Sequence, residues 1–160
     1  MSSGGTDRAD MKRKQKSIRL FSRVHAYIYR ISGGRIGCKL GNQVILLLST
    51  IGIKSGKKRH VPLAAVAYGE KYIVVGSFGG SSKDPSWITN IRNNQQVGVR
   101  IGSAKWRGET SIIEASDDCY AKLWARVISV YGGFDEYRKM TSRDIPLVII
   151  TLHDEAEDLK

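Results

Sequence analysis

The side chains best placed for chemistry lie in S-T-I-G-I-K-S-G-K-K-R-H-V-P-L, Ser49 to Leu63, where Lys54, Lys57, Lys58 and Arg59 crowd a turn punctuated by Gly52 and Gly56. No acid occurs from Ser49 to Gly69 to neutralise them. Glycine lets a backbone approach a ligand closely and tolerates positive φ, so successive N–H groups can converge on an oxygen while the cations supply charge. The turn reads either as a seat for an anion or as a solvated hairpin tip carrying surface lysines. It is not a P-loop, because Ile51 stands where the first glycine should be, and Ser32 spoils a G-x-G-x-x-G ending at Gly37.

A second candidate is the turn Ser77, Gly79, Gly80, which leads into D-P-S-W. Asp84 and Pro85 read as N-cap and first residue of a short helix through Trp87 and Ile91 to about Asn93, whose start offers free N–H groups and a positive dipole end. Tyr131, Phe134 and Tyr137 recur at three-residue spacing. They either wall a flat ligand or belong to the core. Other chemistries lack their parts. His25, His60 and His153 fall in three different elements with no companion acid at a telling distance, and the acids cluster at Asp117-Asp118, Asp135-Glu136 and the tail. A hydrolase triad, a metal site and a glycosidase pair are all unsupported. Cys38 and Cys119 form no C-x-x-C and read as reduced, in a cytoplasmic setting.

The elements that position these residues follow from periodicity. Residues 1–17 are polar, small and basic, and are expected to be a disordered arm. Over 18–34 Ile18, Phe21, Val24, Ile28 and Ile31 recur at helical spacing and end at Gly33-Gly34, with Arg19, Arg23 and Arg30 alongside. Such a helix packs its stripe on its own domain or lies on an anionic bilayer. Strands are expected at Gln43–Thr50, Arg59–Tyr68, Lys71–Ser77, Gln96–Ile101, Lys105–Ala115 and Pro146–Leu152. Helices are expected from Cys119 to about Tyr131 and from Phe134 to Met140, before an acidic tail at 154–160. About six strands with flanking helices make an α+β domain over 35–153, a small closed or half-closed barrel.

The 160 residues carry a net charge of +11. Residues 1–30 hold eight basic and two acidic side chains, so more than half of the excess sits there. That charge asks for anionic company. Without an aromatic-and-basic sheet motif or a recognition helix, nucleic acid is not the expected partner. No apolar run approaches a membrane span, so any membrane contact would be peripheral.

Four segments, taken in this order, resemble the deazaflavin (F420)-dependent nitroreductase family and its quinone reductase-like members: L-L-L-S-T-I-G-I-K-S-G-K-K-R-H-V-P-L, Y-I-V-V-G-S-F-G-G, D-P-S-W-I-T-N-I and Y-G-G-F-D-E-Y-R-K-M-T-S-R-D-I-P-L. The resemblance covers roughly Gly37 to Leu152. It implies a split β-barrel of the FMN-binding-like kind and coenzyme F420, with no metal. It further implies a cytoplasmic oxidoreductase passing a hydride to a hydrophobic, electron-poor acceptor such as a quinone, an enone or lactone, or a nitro compound. By resemblance, Lys54, Ser55, Lys57 and Arg59 hold the phosphate and oligoglutamate tail, with Pro62 also among the cofactor contacts. Ser77, Phe78, Gly79, Gly80, Pro85 and Trp87 bracket the head, and Asn90 supports the helix. Tyr131, Phe134 and Tyr137 line the substrate side, where Ser77, Tyr131 or Tyr137 would supply a proton. The chain departs from the family pattern at Ile53, in an arginine position, at Asn93 to Gln95, and at Phe134, where a tyrosine hydroxyl is replaced by bare ring. Split-barrel relatives also include non-catalytic binders, so the alternative reading is a carrier of F420, a flavin or a fatty-acid-like ligand.

Overall fold

A computed structural model describes residues 4–155. The chain order is α1 (Gly4–Ile31), β1 (Lys39–Leu40), β2 (Gln43–Ile51), β3 (Lys58–Tyr68), β4 (Lys71–Val75), a 3-10 turn (Phe78–Gly80), α2 (Ser86–Asn93), β5 (Gln96–Ile101), β6 (Ala104–Ile113), α3 (Tyr120–Val130), α4 (Gly133–Lys139) and β7 (Leu147–Glu155). Six strands run antiparallel in the order β2-β3-β4-β7-β6-β5, and β5 returns to β2 through Arg100, Val99 and Gly98 opposite Leu47, Leu48 and Ser49. The sheet thus closes into the barrel expected from the sequence, and β1 adds a two-residue edge to β2.

Alternation along β2 explains its unbroken apolar run. Leu46 and Leu48 point into the barrel, while Ile45 and Leu47 point outward beneath α1. Inside, Trp87, Ile88 and Ile91 of α2 plug the barrel against Leu46, Leu48, Val74, Val97, Val148 and Ile150. Outside, Leu123, Trp124 and Val127 of α3 and Phe134 of α4 cover Ile73, Val75 and Leu147. β4 pairs with β3 only over Ala65–Tyr68, so the first half of β3, with Pro62 in it, has a single partner strand. A residue without an N–H fits such a one-sided position.

The N-terminal region departs most from expectation. The helix begins at Gly4 rather than near residue 18, so the arm expected to be disordered is helical over its described part. Ala9, Met11, Lys12, Arg13, Lys14 and Gln15 are strong helix formers with no proline among them, and polarity removes burial without removing helical propensity. The buried face is also not the one the apolar spacing marks out. Ala26 and Tyr29 pack on β2, whereas Phe21 is 68% and Ile31 66% exposed, with Val24 and Ile28 also exposed. Tyr29 accounts for the choice: its hydroxyl donates to the Ile45 carbonyl at 3.0 Å and accepts from the Gly102 N–H at 3.0 Å. A buried phenol needs both partners.

Three smaller differences have local causes. Asp84 does not cap α2. Pro85 holds that position, and the Asp84 carboxylate instead meets Arg92 at 2.7 Å and Arg143 at 3.0 Å. His153 does have an acid nearby, Glu109 at 3.7 Å. The tail expected from residue 154 starts as strand, since β7 runs to Glu155, and its remainder lies outside the described residues. Both cysteines are free.

Candidate functional site

The basic turn between β2 and β3 is built by the hairpin itself. Gly52 N–H donates to the Lys57 carbonyl at 2.9 Å and Gly56 N–H to the Gly52 carbonyl at 2.8 Å, with Gly56 at φ +63°. Ser55 Oγ accepts from the Lys57 N–H at 3.4 Å and from Arg59 Nη2 at 3.1 Å. Lys54, Lys57, Lys58 and Arg59 are exposed, and among the described residues none has an acidic partner. Asn90 ties this turn to α2. Its Oδ1 accepts from the Ile53 N–H at 3.2 Å in a half-buried bond, and its Nδ2 donates to Thr50 Oγ1 at 2.9 Å beneath the surface. Asn90 therefore supports the turn as much as the helix.

Next to the turn, on β3, His60 Nδ1 lies 2.8 Å from Ser49 Oγ. Burial, with the positive charges of Arg30, Lys58 and Arg100, pushes its pKa down to about 4. It is a neutral, satisfied histidine, and the pair has no third group to make a nucleophile of the serine.

The other half of the site is the loop from Gly76 to Pro85. Phe78, Gly79 and Gly80 have φ of +44°, +61° and +76°. A non-glycine at positive φ is unusual, and three left-handed residues in a row form a tight concave turn. Gly80 has no room for a side chain, since a Cβ there would stand 2.8 Å from the Met140 Cβ and 3.1 Å from the Tyr137 carbonyl. The loop thus sits against the end of α4. From the other side α1 covers it: Gln15 Nε2 donates to Ser81 Oγ at 2.9 Å and the Arg19 guanidinium lies 5.3 Å over the Phe78 ring. Between α1 and the loop is a cavity of about 370 Å³, lined by Met11, Ile18, Phe78, Gly79, Gly80 and Met140, with Asp10, Lys14 and Gln15 also at its wall. That size suits a small organic ligand.

The expected residues fall into distinct places. Ser77, Phe78, Gly79 and Gly80 form one loop with Pro85 just before α2, while Lys54, Ser55, Lys57 and Arg59 form the turn that Asn90 joins to the same helix. Trp87 lies in the barrel core, 7% exposed, so its ring supports the loop's helix from beneath. Tyr131, Phe134 and Tyr137 stack edge to face at 5.1 Å and 6.4 Å. Phe134 is buried in the cluster under α3 and α4, Tyr131 is exposed and Tyr137 half-buried. Sequence reasoning passed over Arg143, which reaches the loop from the strand-entry segment T-S-R-D-I-P-L. Its one signal there is a cation just ahead of an apolar run. Among the described residues no group of three or more His, Cys, Asp or Glu could hold a metal, and no helix is long and apolar enough to cross a membrane.

The closed six-stranded antiparallel barrel with flanking helices places the chain in the split-barrel class. HutZ, the heme storage protein from Vibrio cholerae, shares this fold at 16% identity and a TM-score of 0.54, over 69% of this chain and 82% of that one. The family described as F420H(2)-dependent quinone reductase matches residues 21–152, and the chain belongs to it. An F420H(2)-dependent quinone reductase of Mycobacterium tuberculosis is 34% identical over 131 residues, covering 81% of this chain and 88% of that protein. A solved F420-H2 dependent reductase (FDR-A) is 37% identical with a TM-score of 0.58, covering 66% of this chain and 92% of that one. As a member of the family the chain is an F420H2-dependent reductase, and its cofactor is coenzyme F420. The residues present fit that group. The exposed cations of the turn, with no acidic partner among the described residues, have the charge to hold an anionic tail, and the glycine loop with an apolar cavity beside it has the shape to take a planar head.

Proposed function

We propose that this reductase serves a hydrophobic, electron-poor acceptor of the quinone class, bound in the cavity between α1 and the Phe78–Ser81 loop. Enones, lactones and nitro compounds are the neighbouring acceptor classes. The observation that carries the reading is the position of an apolar cavity directly on the loop assigned to the cofactor head. Coenzyme F420, when bound, supplies the hydride. The chain's own residues do the rest. Lys54, Ser55, Lys57 and Arg59 hold the anionic tail at the turn, with Pro62 on the strand behind them. Ser77, Phe78, Gly79, Gly80 and Pro85 seat the head, and Trp87 backs the seat from the core. Met11, Ile18 and Met140 give the acceptor an apolar wall. Of the three expected hydroxyls, Ser77, Tyr131 and Tyr137, none lines the cavity itself, and Ser77, adjacent to Phe78 in the loop, is proposed to hold the proton that a reduced quinone oxygen takes up. Titration with oxidised coenzyme F420, FMN and FAD, followed by tryptophan emission, tests the cofactor assignment. Turnover of the reduced cofactor with a soluble quinone then tests the acceptor. Saturable quenching by the deazaflavin alone and quinone-dependent oxidation are expected. Preference for FMN, or oxidation indifferent to quinone, would overturn the reading.

The outward face of α1 supports a working place at the inner surface of the cell membrane. Leu20, Phe21, Val24, Tyr27, Ile28 and Ile31 are exposed large apolar residues on that helix. Lys12, Lys16, Arg19, Arg23 and Arg30, all exposed, flank them at helical spacing. An exposed apolar stripe edged by cations matches an anionic bilayer, which also dissolves quinones. Deleting residues 1–30 would remove buried Tyr29, so the cleaner variant is L20E/V24E, confined to the exposed face. Salt-sensitive co-sedimentation with anionic vesicles, lost in this variant, is expected. Equal binding by both proteins, or a dimer that the variant dissolves, would remove the membrane from the picture.

A further inference from the structure

We propose that Arg143 is the positioning residue that locks the Gly76–Ser81 loop in its left-handed form and thereby shapes the seat for the deazaflavin head; the second half rests on the loop being that seat. Arg143 stands between α4 and β7, with its side chain only 15% exposed. Its Nε donates to the Ser81 carbonyl at 2.8 Å. Nη2 donates to the carbonyls of Gly76 at 2.8 Å and Ser77 at 3.0 Å. Nη1 donates to the Asp144 carbonyl at 3.0 Å and meets Asp84 Oδ1 at 3.0 Å. A guanidinium has five N–H donors in a fixed planar fork, and here each has a partner within the protein. No donor remains for a ligand, so the residue acts through the loop.

The pattern of acceptors gives the role its content. Gly76 and Ser77 precede the three positive-φ residues, and Ser81 follows them. A single rigid group therefore grips both ends of the left-handed turn, where Phe78 at φ +44° would otherwise relax. Inside the turn only two backbone bonds operate, Gly80 N–H to the Ser77 carbonyl at 3.0 Å and Ser81 N–H to the Phe78 carbonyl at 3.2 Å. Asp84 extends the grip to α2, because it stands two residues before the helix while its other oxygen holds Arg92, in the helix's last turn, at 2.7 Å, and Arg92 also holds Glu114 at 2.8 Å. One cation thereby fixes the loop, the entry to α2 and the entry to β7 relative to one another. A lysine, with three donors on a flexible stem, cannot reproduce this.

Hydrogen exchange on full-length R143K and R143M without cofactor, together with titration by oxidised coenzyme F420, tests the proposal. In both variants the Gly80 and Ser81 amides should exchange at least about tenfold faster while β2 and β6 stay protected, as expected for local opening. Affinity for the cofactor should fall at least about tenfold, with low-millimolar guanidinium restoring it in R143A, because a charge-assisted network is lost and refilled. Wild-type exchange and affinity in R143K would overturn the role. So would protection lost uniformly over the barrel, which marks a merely structural residue. Faster loop exchange with unchanged affinity would leave the lock intact and refute the loop as cofactor seat. Absence of cofactor binding by the unmodified protein would refute the family-based cofactor assignment itself.

Discussion

The two glycine-containing segments assigned to the cofactor, the Gly52–Lys57 turn and the Gly76–Ser81 loop, use opposite physics. The first is open and cationic. Its four cations stand in solvent, and Gly56 adopts φ +63° with nothing within 4 Å of where a Cβ would be. The second is enclosed and shaped, with Gly80 at φ +76° and both Met140 and the Tyr137 carbonyl in the place of its missing side chain. A flexible polyanionic tail can be recognised by charge at many geometries, whereas a planar reacting head must be placed within a fraction of an ångström.

Paired alanine substitutions should separate the two most sharply. Gly80→Ala combines backbone strain with collision against a backbone carbonyl, and is expected to cost about 2–3 kcal/mol of stability and to abolish measurable cofactor binding. Gly56→Ala meets only the backbone term, about 1 kcal/mol, and should bind nearly as the parent does. Thermal unfolding and cofactor titration read both. Equal losses in the two variants would erase the distinction. Asn90→Ala probes the link between the two segments, because it leaves the Ile53 N–H and Thr50 Oγ1 without their partner. A cost of about 1–3 kcal/mol is expected, as for an orphaned buried polar group. Cofactor affinity should also drop, since the turn loses its anchor to α2.

Charge at the turn should be worth less per residue and should depend on salt. Lys54→Ala and Lys57→Ala are each expected to weaken cofactor binding by about threefold to tenfold at low ionic strength, with little change in unfolding temperature. The difference from the parent should shrink as salt is raised, whereas the Gly80→Ala defect should not. Salt-independent lysine effects would mean that the turn, too, works by shape.

Much of this arrangement can be read from the chain, for physical reasons that differ by element. The strands are legible because β2 is apolar at consecutive positions and both of its faces are buried, one by the plugging helix and one by α1. The basic turn is legible because its glycines and cations are local in sequence, although the Asn90 that ties it to α2 is not. α1 misleads, since the largest side chains at helical spacing face outward, and the packed face is chosen by Tyr29 through partners that are 16 and 73 residues away. Arg143 is illegible for the same reason: its acceptors in the loop are carbonyls 62 to 67 residues earlier, and carbonyls leave no trace in residue type. Phe134 shows the converse. The family pattern places it at the substrate wall, while its ring packs among Leu123, Trp124 and Val127 as part of the α3–α4 core.

The smallest effect expected from the turn's charge is felt by a neighbour rather than a ligand. His60 is held neutral by burial first and then by the fields of Arg30, Lys58 and Arg100, so its pKa in the folded protein is about 4 against an ordinary 6.5. Because the folded value is the lower one, the unfolded chain takes up the proton first as pH falls. Linkage then requires stability to be complete above about pH 6.5 and to decline as pH drops toward 4, with partial exposure of the ring reducing the size of the effect. Carboxylates begin to titrate near the lower end of that window, so the informative quantity is a difference. His60→Asn keeps an acceptor for the Ser49 hydroxyl and removes the titration. Its unfolding temperature should change less than the parent's between pH 6.5 and 5, and Lys58→Ala should lessen the parent's decline slightly by weakening one of the three fields. Parallel curves for the parent and His60→Asn would show that the histidine keeps an ordinary pKa and that the positive potential of the turn does not reach into the barrel wall.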